Sequence, residues 1–245
     1  MSPAIVLATA VRVLRQLLRD HRTVALLLMV PVLLLTLLRF MYDGQPQLFD
    51  AVGLVMLGVI PFMVMFLVTS IAMLRERTSG TLERMLTTPL AKLDLLLGYG
   101  IAFAVAAAAQ ATAASAVAYG LLGLDTAGGW WLVLLVAVVN AILGVSLGLL
   151  CSAFSQSEFQ AVQFLPLVAF PQLFLCGLFV PREQMVGWLQ AASDVLPLTY
   201  SVRALREIGS NSAATTQMWG DVALVAAVAL LALGLAAGTL RRRTR

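Results

Sequence analysis

Six long apolar stretches alternate with short polar breaks along this chain of 245 residues: Thr23–Met41, Val52–Leu74, Leu95–Leu122, Trp131–Leu150, Phe159–Val180 and Asp221–Leu240. Crossing the hydrocarbon core takes about 20 apolar residues per helix, so each stretch predicts one membrane span. The breaks are too short to fold separately. The pattern therefore predicts an all-α integral membrane protein with six transmembrane helices, residues 1–245 forming one transmembrane domain. Ahead of the first span, Leu7, Val11, Leu14 and Leu18 recur at helical spacing on one face, and Arg12, Arg15, Gln16 and Arg19 on another. That is the pattern of an interfacial amphipathic helix over residues 1–22. The segment L-R-F-M-Y-D-G after the first apolar run has no small-x-small cleavage pattern, so that run reads as a retained helix.

One polar island interrupts the pattern: Arg75–Leu90, R-E-R-T-S-G-T-L-E-R-M-L-T-T-P-L. Arg75, Glu76, Arg77, Glu83, Arg84, Lys92 and Asp94 put seven charges into the twenty residues 75–94. At roughly 2.5–3.5 kcal/mol each at a bilayer centre, about 17–25 kcal/mol keeps this segment out of lipid. Within it, Leu82, Met85 and Leu86 make an apolar stripe beside Thr81, Glu83, Arg84 and Thr87. Gly80 permits a sharp entry, and Thr88-Pro89 reads as an N-cap with proline at the first helical position. Residues 75–94 thus predict a short amphipathic helix leading into the third span. Residues 181–220 form the other long connection. Met185, Trp188, Leu189 and Ala192 recur at helical spacing, then Leu198, Val202, Leu205 and Ile208 after Pro197. They predict two amphipathic helices broken at the proline and dipping into the outer leaflet.

Composition sharpens this picture. Apolar residues make up 61% of the chain and charged ones 11%, which is the membrane class. With a cytoplasmic N-terminus and six spans, twelve of the sixteen basic residues fall inside and Arg39, Arg182, Arg203 and Arg206 outside. This positive-inside bias predicts a multi-pass protein of the cytoplasmic membrane with both termini and the polar island in the cytoplasm. The basic residues gather at membrane ends, which speaks against nucleic acid as a partner. Cys151 and Cys176 are expected at opposite ends of their spans and unpaired. Gly144-x-x-x-Gly148 and Gly234-x-x-x-Gly238 permit close helix approach, within one chain or between two. Pro166 and Pro171 are expected to bend the fifth span, and Pro31 and Pro61 the first two.

Chemistry-bearing motifs are sparse. There is no G-x-x-x-x-G-K-[ST] phosphate loop, and the one histidine, His21, stands among Arg19, Asp20 and Arg22 with no second metal ligand beside it. No nucleophile–base set is present, so the chain reads as no enzyme, without a cofactor of its own. Span interiors hold neutral polar residues, Gln110, Asn140, Gln160, Gln163 and Gln172, suited to hydrogen bonds between helices. Met63 and Phe66 in span two, with Gln163, Phe164 and Phe170 in span five, are candidates to line an adaptable apolar path.

Taken in order, these residues resemble a known family. Glu76-Arg77, Gly80-Thr81-Leu82-Glu83, Thr88-Pro89-Leu90 and Gly98 look like the signature of membrane subunits of type-two ATP-binding-cassette exporters, permeases for drugs, lipids and polysaccharides. Phe179-Val180-Pro181 and Leu196-Pro197-Leu198-Thr199-Tyr200 with Ala204-Leu205-Arg206 extend the match over nearly the whole chain. Tyr99 departs from it, because many relatives carry lysine there. The resemblance implies a permease that pairs with a second permease subunit, as homodimer or heterodimer, and binds two separate ATPase subunits carrying ATP and magnesium. It implies an ATPase contact built from Glu76, Gly80, Thr81, Leu82, Glu83, Arg84 and Met85. The expected cargo is a small amphipathic molecule, a drug or lipid. The alternative is an anchoring subunit whose polar island recruits a soluble partner without forming a transport path.

Overall fold

The computed structural model describes residues 2–80 and 92–239. The described residues form helices: α1 (Pro3–Arg19), α2 (His21–Met41), α3 (Pro46–Thr78), α4 (Lys92–Gly120), α5 (Trp130–Cys151), α6 (Glu158–Leu175), a single 3-10 turn Arg182–Gln184, α7 (Gly187–Val195), α8 (Pro197–Ser210) and α9 (Thr216–Gly238). Five of them, α2, α3, α4, α5 and α9, are long and apolar enough to cross a membrane. α6 falls outside that group. Glu158, Gln160, Gln163 and Gln172 dilute its apolar character, and it stops at Leu175 rather than Val180 because Gly177 turns the backbone to φ +90°. It remains helical through both Pro166 and Pro171.

Local chemistry sets most boundaries. Pro3 and Pro46 open their helices near the first position, where a missing N–H costs nothing. The connection between α2 and α3 is short, since α2 ends at Met41 and α3 begins at Pro46. Asp20 alone separates α1 from α2, and it caps α2 by accepting from the Thr23 amide at 3.2 Å and hydroxyl at 2.6 Å. Those bonds, the hydroxyl first, hold its carboxyl below the usual range. α3 has 33 residues, about 50 Å of helix against a hydrocarbon core of about 30 Å. Its last turn, Arg75–Thr78, therefore projects beyond the apolar layer as a direct continuation of the helix.

The core is built on the pair α3–α5. A Cβ at Gly144 would stand 2.3 Å from the Phe62 carbonyl oxygen, and one at Gly148 2.5 Å from that of Phe66. Only glycine permits that approach. By contrast, Gly234 and Gly238 have nothing within 4 Å on their open sides. Asn140 joins the same pair, donating to the Gly58 carbonyl at 2.8 Å while its Oδ1 accepts from Ser201 at 2.9 Å. Gln110 donates to the Leu27 carbonyl at 2.9 Å and links α4 to α2. Gln172 donates back to the Val168 carbonyl within α6 at 3.0 Å while its Oε1 accepts from the Leu198 amide of α8 at 3.4 Å.

The α8 stripe overturns one expectation. Leu198, Val202, Leu205 and Ile208 are buried inside the bundle against α3, α5 and α9, not turned towards lipid. Small groups opposite explain it. Leu205 occupies the space over Gly58, and the Gly128 amide donates to the Ile208 carbonyl at 2.9 Å. α7 keeps Trp188 and Val195 exposed. Cys151 and Cys176 are both free and buried.

Candidate coupling and ligand site

At one end of the bundle, α1 lies against α4 and the projecting turn of α3. Its packing face is Thr9, Ala10 and Val13, all buried, while Leu7 and Leu18 point outwards. The small residues let α1 come close. A Cβ on Gly98 would fall 2.6 Å from Thr9 Cβ, which gives this glycine its role. Leu7, Val11 and Leu18 are left for a lipid surface, while Leu14 and Leu17 pack against the core.

Polar bonds fasten the same contact. Asp94, buried on α4, accepts from the Ser2 amide at 3.1 Å. Arg12 donates to the Tyr99 hydroxyl at 2.6 Å, its guanidinium 5.6 Å from the ring centre. The same guanidinium faces Glu76 of α3, with Nη1 3.7 Å from Oε1. Arg12 thus joins three helices. Tyr99, which stands out in the sequence only as a departure, is the group that receives it. On the other side of α3, Arg75 makes a paired contact with Glu158 of α6, at 2.7 and 3.1 Å. The bonds from Arg75 hold the Glu158 carboxyl below its usual range.

Two of the expected ATPase-contact residues lie among the described ones. Glu76 is only 8% exposed, turned inwards to Arg12, with Oε2 buried and unpartnered. Gly80 ends the projecting turn at φ +72°, a conformation that favours glycine. Thr81, Leu82, Glu83, Arg84 and Met85, with the predicted helix and its Thr88-Pro89 cap, lie outside the described residues.

The five proposed path residues differ in their exposure. Phe66 is fully buried, its backbone against Gly148 of α5. Met63 and Phe164 are half-buried, and Gln163 and Phe170 are exposed on the outer side of α6. None of them lines the cavity between α1, α2, α3 and α4. That cavity holds about 810 Å³. Arg12, Asp20, Arg75, Glu76 and Tyr99 stand at its polar end, and Leu26, Val30, Val64 and Val68 are among its apolar walls. Periodicity does not reveal such a space, because it arises from four helices meeting.

At the opposite end several charged side chains of the bundle rim are paired. Arg203 pairs with buried Asp221 at the start of α9, Nε to Oδ2 at 2.7 Å. Arg206 donates to the Gly177 carbonyl at 2.6 Å, Arg182 pairs with Asp194, and Arg39 donates to the Leu122 carbonyl at 3.1 Å.

Apolar crossing helices and a polar turn projecting from α3 define a multi-pass membrane protein. The chain belongs to the ABC-2 type transporter family, whose model matches residues 6–209. It is 29% identical over 153 residues to ABC transporter G family member 20 of Dictyostelium discoideum, covering 62% of this chain and 21% of that one. To the probable multidrug ABC transporter permease YbhR of Escherichia coli K12 it is 25% identical over 167 residues, 68% of this chain and 45% of the relative. To the daunorubicin resistance ABC transporter permease protein DrrB1 of Streptomyces coeruleorubidus it is 32% identical over 111 residues, 44% and 38% of the two chains. In each case the match spans less than half of the relative's length.

Proposed function

We propose that this chain is the permease subunit of an ATP-driven exporter that moves amphipathic small molecules outward across the cytoplasmic membrane. Membership of the ABC-2 type transporter family, matched over residues 6–209, carries the reading. The names of two relatives, a multidrug permease and a daunorubicin resistance permease, favour a drug-like cargo. Hydrolysis belongs to a separate ABC ATPase, which supplies ATP and magnesium. Two ATPase copies serve a pair of permease subunits. α6 is the sixth span, so both termini and the α1 end face the cytoplasm, as the distribution of basic residues favours.

Coupling runs through the α1 end. Thr81, Leu82, Glu83, Arg84 and Met85 meet the ATPase, and Gly80 sets the angle at which the chain leaves α3. Glu76 acts indirectly, because its carboxylate is buried against Arg12. A push on the segment after Gly80 therefore reaches α1 and α4 through Arg12, and α6 through Arg75 and Glu158.

The test is Leu82→Asp in the chain reconstituted with its ATPase. The variant should insert normally yet lose ATPase co-purification, or lose coupled transport with the ATPase still bound. Normal coupled transport by the variant overturns this route. A wild-type complex that holds its ATPase but moves no amphiphile would instead make the chain an anchoring subunit.

A further inference from the structure

The outward face of α1 carries two stripes side by side. Leu7, Val11 and Leu18 are apolar and exposed, and Arg15 and Arg19 are exposed beside them. Arg12 is held by Tyr99 and Glu76, whereas neither Arg15 nor Arg19 has a hydrogen bond or ion pair among the described residues. The helix also lies across the bundle end. From Ser2 to Arg12, about 15 Å of α1, its bonds meet only Asp94 to Tyr99, about 7.5 Å of α4. It is therefore steeply inclined to that crossing helix and lies towards the membrane plane, as an interfacial helix does.

This face runs into the cavity between α1, α2, α3 and α4. Arg12 and Gln16 line both that cavity and a hollow on the outward side of α1, where Arg15 and Arg19 stand. The charges lining the cavity balance, Arg12 and Arg75 against Asp20 and Glu76, so the cavity itself selects no ion. The excess lies on its rim. At this end the described side chains Arg12, Arg15, Arg19, Arg22, Arg75 and Arg77 stand against Asp20, Glu76, Asp94 and Glu158, six cations to four anions. The cavity is open rather than enclosed, and Leu26 on its wall is 63% exposed, which gives an apolar chain an entrance beside α2.

We propose that this corner binds an anionic phospholipid of the surrounding leaflet, its phosphate on Arg15 and Arg19 and one acyl chain in the cavity against Leu26, Val30 and Val68. A guanidinium is weakly hydrated and offers a planar fork of donors that matches phosphate oxygens. Length agrees as well. From Glu76 to Val64 the cavity follows α3 for about 18 Å, comparable with the depth of one leaflet, about 15 Å. The site requires only that the α1 end lies at a membrane surface. It depends on neither the exporter reading nor an ATPase.

Native mass spectrometry counts the lipids kept by the full chain when it is released from mixed micelles of dioleoyl phosphatidylglycerol and dioleoyl phosphatidylcholine in equal amounts. Wild type should keep one phosphatidylglycerol, favoured about tenfold or more over phosphatidylcholine. Arg15→Gln with Arg19→Gln should remove that preference, about fivefold for each guanidinium. Arg15→Lys with Arg19→Lys should keep most of it. Val68→Trp fills the apolar wall without touching a charge and should release the retained lipid. Size-exclusion profiles and melting curves identify any variant that has not folded, and the exposed arginine pair keeps the test open if Val68→Trp fails. Equal retention of the two lipids by wild type overturns the site, as does an undiminished preference in the folded Gln variant or unchanged retention by folded Val68→Trp. Glycerol 3-phosphate, a headgroup without chains, should not compete; displacement by it would overturn the lipid in favour of a free anion. Loss of ATPase binding by the Gln variant with its lipid preference intact would give this face to the ATPase and overturn the proposal too.

Discussion

A carboxylate buried at the edge of an apolar bundle needs a cation, and Asp221, 3% exposed, has one in Arg203. In the sequence Asp221 is a residue flanking a span and Arg203 one of four basic residues outside. Their pairing depends on the turn between α8 and α9, which folds back so that both meet. Asp221→Asn should destabilise the protein by about 2–4 kcal/mol, because it leaves the partly exposed Arg203 charge without its partner. Thermal unfolding in detergent measures this, and Arg203→Gln combined with Asp221→Asn should recover part of the loss. A single variant as stable as wild type would mean that water already satisfies both groups. Tyr99 and Glu76 make the same point at the other end. Their residue types were visible, but Arg12 reaches them only because Gly98 lets α1 lie close to α4.

Among the elements, helical periodicity identified the apolar faces correctly but not what those faces meet. The α8 stripe is as regular as a lipid-facing one, yet it fills the bundle over Gly58. Lipid and protein interior are equally apolar, so the pattern has no means to separate them. The two G-x-x-x-G patterns diverge for the same reason. Gly144 and Gly148 meet backbone oxygens of α3, whereas Gly234 and Gly238 meet nothing within 4 Å among the described residues. Gly144→Ala should therefore cost about 1–3 kcal/mol through forced separation of α3 and α5. Gly234→Ala should be neutral or stabilise by up to about 1 kcal/mol through helix propensity. Melting temperatures of the two variants give the comparison, and equal effects would deny that α3–α5 contact sets the role of Gly144.

For the whole molecule, the open question is how many times the chain crosses the membrane. Five helices meet the requirement, and α6, with its glutamines and its exposed Phe159, Phe170 and Phe174, decides the topology. Single cysteines at Asp43, Gln156 and Ser212, in a chain with Cys151→Ser and Cys176→Ser, test it with a membrane-impermeant maleimide added to intact cells. Six spans with a cytoplasmic N-terminus expose Asp43→Cys and Ser212→Cys and protect Gln156→Cys. Labelling of Gln156→Cys and Ser212→Cys from the same side would leave α6 on one face of the membrane. The cavity also belongs to this scale. Its polar end is drawn from α1, α2, α3 and α4, residues 12 to 99, and no single segment carries it.

By itself the sequence determined the all-helical membrane class, the positions of the five helices long and apolar enough to cross, the amphipathic α1, the break at Pro197 and the family resemblance. Those follow from desolvation and backbone chemistry, which act locally: charges stay out of lipid, prolines open helices, glycines turn them. Only the tertiary structure decided that Glu76 points inwards, that α8 is a buried element, and that a cavity lies beside α1. Each of these depends on which helices stand next to one another, and close packing through Gly58, Gly98, Gly144 and Gly148 sets that arrangement.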